Sequence, residues 1–345
     1  MNSCLTKRSF LKILALSSMT PGMVGALQPF DFSRARSGYL ERLTQIKKTN
    51  VLPIIDIESS YDPLEINLES FTKSMDRAGI ALMCMSVDQP GKLAMKGEFW
   101  GHHALEAFEK FPSHFIPTGN GANFPVWTRR PETFLSEHEK FISEHNYPLM
   151  GEFEVRHYPS PRQVQRGETI RDLDYPVDGN LMERVFAFAE KTGIPFQIHY
   201  EIEDRLIDPL EKMLTKFPKA KVIWCHLAQI RYPQRSTRYN PTFVDGMLKK
   251  YPNLYIDTAF GDSLSTYAPS GARHATYWIN TKEWSEVIAS NPYRFLAALD
   301  IGGDRMDKVE EWTRTLRYFL ATLPAPAQEI VAYKAAWKLL FNEEL

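Results

Sequence analysis

The sequence predicts an α/β fold, a single-domain (β/α)8 TIM barrel. Three observations predict it. Eight short apolar runs recur from residue 51 onward, and the stretches between them carry apolar residues at three- and four-residue steps. Glycine or proline turn signals stand just before several runs. Eight strand–helix units in about 290 residues is the size of such a barrel. An open, doubly wound sheet is the rival, but no Gly-rich phosphate turn follows the first run.

The predicted strands are 51–57, 80–87, 115–119, 147–155, 194–200, 221–226, 253–258 and 294–300. They are apolar nearly throughout, as expected for strands covered by helices outside and a packed barrel inside. Leu68, Phe71, Met75 and Ala78 mark the first helix between them; Leu105, Phe108 and Phe111 mark another; Leu181, Val185, Phe188 and Ala189 a third. Long loops follow the fourth strand (156–178) and the seventh (259–281), and in a barrel both lie on the catalytic face. Residues 326–341 read as an additional C-terminal helix, and residues 51–345 as one barrel domain without an internal boundary.

Residues 27–50 read as an N-terminal extension. Before them, Thr6-Lys7-Arg8-Ser9-Phe10-Leu11-Lys12 precedes a short apolar run, then Pro21 and Val24-Gly25-Ala26. That order resembles a twin-arginine export signal over residues 1–26, with Lys7 in place of the first arginine. It predicts a periplasmic or secreted protein; a basic N-terminal helix on a cytoplasmic protein is the alternative.

The composition is that of a folded globular chain: 345 residues, 43% hydrophobic and 24% charged. With 41 basic against 42 acidic side chains, no global field attracts nucleic acid or an anionic membrane. No stretch has the roughly 18 consecutive apolar residues of a membrane span. The expected partner is a small-molecule substrate, and a homo-oligomer is compatible with the sequence. Cys84 and Cys225 lie in apolar runs, where cysteine acts as a small hydrophobe; nothing supports a disulfide between them.

Chemistry in a barrel is read at the C-terminal strand ends. There the first strand carries Asp56, Glu58, Ser59 and Ser60, the fourth Glu152, Glu154, Arg156 and His157, the fifth His199 and Glu201, the sixth His226, the seventh Asp257 and the eighth Asp300. Imidazoles and carboxylates converging on one pocket suit a divalent metal, which lowers the pKa of water. Glu152 and Glu154 share one strand face, and Phe153 takes the other. Loop arginines, of which Arg156 and Arg231 are best placed, suit an anionic substrate. His157 and His274 read as surface residues, His102 and His103 receive no role, and Tyr267, Tyr277 and Trp278 read as a lid or as loop packing.

Four segments carry a resemblance: Ile194-Pro195-Phe196-Gln197-Ile198-His199, Lys216-Phe217-Pro218-Lys219-Ala220-Lys221-Val222-Ile223-Trp224-Cys225-His226, the stretch from Lys249 through Asp257 to Thr258, and the stretch from Asn291 through Pro292 to Asp300. Over roughly 51–342 the chain resembles the amidohydrolase superfamily, in particular the branch containing aminocarboxymuconate-semialdehyde decarboxylase. The resemblance implies that His199, His226 and Asp300 surround a metal, zinc or manganese. It implies Asp300 as general base and His226 as a group that polarises the electrophile or binds the ion. The family's first strand ends in His-x-His; here Glu58 and Ser60 occupy those places, and serine is a poor ligand. Glu152, or Glu154, supplies a carboxylate from the fourth strand. The expected metal set is therefore Glu58, Glu152, His199, His226 and Asp300, with Arg156 and Arg231 on the substrate. Three functions follow: a hydrolase of an ester, lactone or amide-type bond; a non-oxidative decarboxylase of a carboxylated ring; or a metal-free ligand-binding or degenerate barrel.

Overall fold

The computed structural model describes residues 27–88, 100–119, 129–159, 164–165, 167, 172–227, 230, 232–259 and 281–345. The export-signal segment, Arg162, Arg166, Arg171, Arg231, His274 and the proposed lid aromatics lie outside them.

Among the described residues nine strands form one sheet: β1 Ile54–Tyr61, β2 Ile80–Val87, β3 Phe115–Gly119, β4 Leu149–His157, β5 Leu173–Asp174, β6 Phe196–Tyr200, β7 Val222–Trp224, β8 Leu254–Asp257 and β9 Phe295–Leu296. Eight of them run parallel in the order β1-β2-β3-β4-β6-β7-β8-β9, and short β5 folds back antiparallel on β4. The chain beyond β9 closes the ring on β1. Ile57 N donates to Ala297 O (2.9 Å), Asp300 N to Glu58 O (3.0 Å) and Ser60 N to Ile301 O (2.7 Å). The predicted (β/α)8 barrel is the observed one.

The strands form because Val, Ile, Leu, Met and aromatic residues fill them, and nearly every position is buried. The helices outside them carry explicit stop and start signals. The Asn67 side chain accepts from Ser70 N at the start of Leu68–Ala78, and left-handed Gly79 (φ 73°) ends that helix one residue before β2. Asn240 accepts from Phe243 N at the head of Pro241–Lys250, with proline in the first turn.

The extension is not loose. Residues Phe32–Lys48 form a helix with a buried stripe of Ala35, Tyr39 and Leu43. Tyr39 Oη donates to Phe115 O (2.7 Å), and Arg42 reaches Ala81 O and Ile80 O. These contacts lie at the starts of β2 and β3, so the helix covers the barrel's N-terminal end. Phe32 stacks on Phe341 (3.9 Å between centroids) and meets Trp337 edge-on. That joins it to the C-terminal segment, helix Ala325–Glu329 continued by a π-helical turn Ile330–Lys334 and helix Ala335–Phe341. No helix of the described residues is long and apolar enough to cross a membrane.

Candidate metal centre

Side chains from within β4, from the end of β6 and from the turn after β7 meet at one corner. Glu152 Oε1 lies 2.9 Å from His199 Nδ1 and 2.9 Å from His226 Nε2, and the two nitrogens are 2.9 Å apart. His199 reaches the corner because it is the penultimate residue of β6 and pairs in register with Glu154 of β4. His226 reaches it because the chain leaves β7 at Trp224 and turns; His226 and Leu227 both take left-handed dihedrals (φ 64° and 50°). Two hydrogen bonds brace that turn: Asp257 Oδ1 accepts from His226 N (2.8 Å) and Ala259 N (3.1 Å). Both histidines are buried, whereas Glu152 keeps 19% of its side chain exposed, so the corner opens on its Glu152 side.

The outer ring atoms face acids. His199 Nε2 lies 3.2 Å from Glu201 Oε1, which also accepts from Tyr158 N (3.0 Å). His226 Nδ1 lies 3.5 Å from Glu58 Oε2 and 3.9 Å from Asp257 Oδ1. Glu58 Oε2 and Asp257 Oδ2 are buried and accept no hydrogen bond among the described residues.

The acids and imidazoles shift one another. Burial alone would lower the His199 pKa, but the Glu152 charge and hydrogen bond, with Glu201 behind, push it up to about 10. Against burial, the charge and hydrogen bond of Glu152 also raise the His226 pKa. Burial favours a neutral Glu152, yet the two imidazoles hold its carboxyl well below the usual range. Glu58 goes the other way: burial, then the charges of Glu152 and Asp300, hold its carboxyl well above the carboxylate range.

These residues fit a divalent ion. A histidine that gives its outer N–H to an acid turns a lone pair inward, and two such lone pairs and a carboxylate oxygen at 2.9 Å repel without a cation or protons between them. Imidazole nitrogen and carboxylate oxygen are ligands of zinc and manganese.

Of the expected set, Glu152, His199 and His226 converge. Glu58 stands behind His226, facing Nδ1, the nitrogen turned away from the corner. The carboxylate of Asp300 is held by Arg305 through two 2.9 Å contacts, although its backbone bonds Glu58. Arg156 is not poised over the pocket. It is 4% exposed, donates to Asp172 Oδ1 (2.7 Å), Leu173 O (2.6 Å) and Glu203 (3.3 Å), and covers the Tyr158 ring. A guanidinium so enclosed clamps the loop after β4 to the loop after β6, leaving no open face for substrate. Arg231 lies outside the described residues. Glu154 is buried at 3% exposure. Cys84 and Cys225 are buried free thiols, and Cys225 Sγ lies within 4.8 Å of carboxylate oxygens of Glu58 and Glu152.

Glu201 and Asp257 had no assigned role, and His157 read as surface. The His157 ring is in fact 4.6 Å from that of His199. Glu201 was findable: it follows His199 by two residues, and strand alternation puts both on one face.

Among solved structures, a 2,6-dihydroxybenzoate decarboxylase complexed with 2,6-dihydroxybenzoate superposes with a TM-score of 0.52 at 13% identity, covering 84% of this chain and 99% of the other. A dihydroxybenzoic acid decarboxylase from Polaromonas, with bound manganese and the inhibitor 2-nitroresorcinol, gives 0.50 at 12% identity, covering 84% and 98%. An amidohydrolase from Burkholderia multivorans with bound HEPES gives 0.51 at 11% identity, covering 83% and 98%. At such identities the likeness speaks for the fold alone. No curated protein matches the sequence. The profile of the family described as amidohydrolase matches residues 114–305, more than half of the chain and the whole stretch from β3 to Arg305; the chain belongs to the amidohydrolase family.

Proposed function

We propose that the protein is a divalent-metal-dependent hydrolase of a small molecule, cleaving an ester, lactone or amide-type bond, with Glu152 Oε1, His199 Nδ1 and His226 Nε2 as the metal ligands. The observation that carries the reading is the 2.9 Å triangle of those three atoms at the barrel mouth. A divalent ion held there supplies Lewis acidity, polarising a carbonyl and lowering the pKa of water. The chain's own groups do the rest. Glu152, partly exposed, marks the side from which substrate enters. The Asp300 carboxylate, oriented at both oxygens by Arg305, is the assigned proton acceptor. Glu58, buried behind His226, does not compete for that role.

The test is a panel of lactones, esters and amides assayed with chelated protein, then with added zinc or manganese, beside His199→Ala. The reading predicts hydrolysis by the parent that the chelator removes, the metal restores and the variant lacks. Carbon dioxide release from hydroxylated aromatic acids, with no hydrolysis across the panel, would replace hydrolase by decarboxylase. Metal-independent binding without turnover would replace both by a binding barrel.

A further inference from the structure

We infer that Glu201 and Glu58 are positioning residues that hold His199 and His226 in opposite tautomers, and that Glu58, in a place where a histidine ligand is expected, orients a ligand instead of being one. The inference rests on the metal reading above and deepens it.

Each histidine presents a different nitrogen to the corner: Nδ1 from His199 and Nε2 from His226. The far nitrogen of each must then carry the proton when an ion is bound, because a neutral imidazole has one donor and one acceptor. Both far nitrogens face a buried acid. Behind His199, Glu201 Oε1 stands 3.2 Å from Nε2 on a side chain with 0% exposure, and the backbone N–H of Tyr158 fixes that oxygen from the other side at 3.0 Å. Behind His226, Glu58 Oε2 stands 3.5 Å from Nδ1, is 6% exposed as a residue, and accepts no hydrogen bond among the described residues. An oxygen facing Nδ1 does not lie at the corner defined by Nε2 of the same ring. Glu58 groups with His226 and Asp257, and separately with Glu152 and Cys225, but among the described residues no such group joins it to His199, whereas Glu152 groups with both histidines. Acids behind ligating histidines fix ring orientation and raise ligand basicity.

The test is calorimetric titration of chelator-stripped protein with zinc. The expected result is tight binding by the parent and binding about 10–100-fold weaker in Glu201→Ala and in Glu58→Ala. Glutamine retains an oxygen that accepts the ring N–H, so Glu201→Gln and Glu58→Gln should lose less than their alanine counterparts; a purely structural role would not rank them so. In zinc-loaded parent labelled with 15N-histidine, and assigned with His199→Gln and His226→Gln, His199 should show a metal-bound Nδ1 and a protonated Nε2, and His226 the reverse. In Glu58→Gln the absorption of the cobalt-loaded site should keep the intensity of the parent, since no ligand is lost. Parent and alanine variants binding zinc equally, zinc on Nε2 of His199, or a changed cobalt coordination number in Glu58→Gln each overturns the inference while leaving the metal centre standing. A parent that takes up no zinc removes the metal reading itself, and the positioning role with it.

Discussion

Replacing Glu152 with glutamine removes a carboxylate that touches both imidazoles at 2.9 Å. In metal-free protein that carboxylate is the leading favourable cause of the rise of the His199 pKa from 6.5 to about 10. A shift of about 3.5 units corresponds to about 5 kcal/mol of preference for the charged ring, an upper bound for the whole environment. Glu152 comes before Glu201 among the raising causes, and its removal is expected to cost on the order of 2–3 kcal/mol. The sign follows from linkage. A histidine raised in the folded state contributes fully below its unfolded pKa of 6.5, and the contribution fades as pH climbs from 6.5 through 10. The lowered carboxyl of Glu152 contributes above its ordinary 4.5 and is lost as pH falls below that value. The pairing is therefore strongest between 4.5 and 6.5. Urea unfolding of parent and Glu152→Gln in chelator should give a loss of ~2–3 kcal/mol at pH 6 and far less at pH 10. A loss equal at both pH values, or larger at pH 10, refutes the reasoning.

Other outcomes follow from the same geometry. Arg156→Met takes a guanidinium from half-exposed Asp172 and from buried Glu203, which keeps Arg205 and Tyr158, and should cost ~1–3 kcal/mol in urea unfolding, the mark of a clamp. Tyr39→Phe removes the hydrogen bond to Phe115 O that fastens the N-terminal helix, and should lower stability by ~1 kcal/mol in the same assay. Trp337→Ala empties a fully buried site between Phe32 and Phe341 and should cost ~3–5 kcal/mol, read as a fall in melting temperature. If residues 1–26 direct export, mass spectrometry of periplasmic protein should find a terminus near Leu27; an intact Met1 contradicts this.

How far the sequence foretells the structure differs by element, and for physical reasons. β2 and β3 match the predicted 80–87 and 115–119 because every residue of the two runs except Ser86 is buried and turn residues precede them. β7 ends at Trp224, before His226, since that residue is left-handed and braced by Asp257, a partner 31 residues on. β9 is only Phe295–Leu296, because Pro292–Arg294 forms a 3-10 turn before it and Asp300 turns left-handed after it. The helix Phe32–Lys48 was hidden within a stretch read as an extension, although Ala35, Tyr39 and Leu43 fall at four-residue steps. At the site, the strand-end rule brings Glu152, His199 and His226 together without any structure. It cannot show that Arg305, delivered by the turn Gly303–Lys308, takes the Asp300 carboxylate. Nor can it show that Glu203, 47 residues downstream, takes Arg156. Both depend on where a long side chain reaches, which strand position does not encode.

The central claim is that Glu152, His199 and His226 hold one divalent ion. Equilibrium dialysis of chelator-stripped protein against zinc, with elemental analysis of the ion per chain, addresses it most directly. The account predicts one equivalent for the parent and none at the same free-metal concentration for His199→Ala or His226→Ala, with the variants still folded by circular dichroism. A parent that binds no ion, or alanine variants that bind as much as the parent, would contradict it.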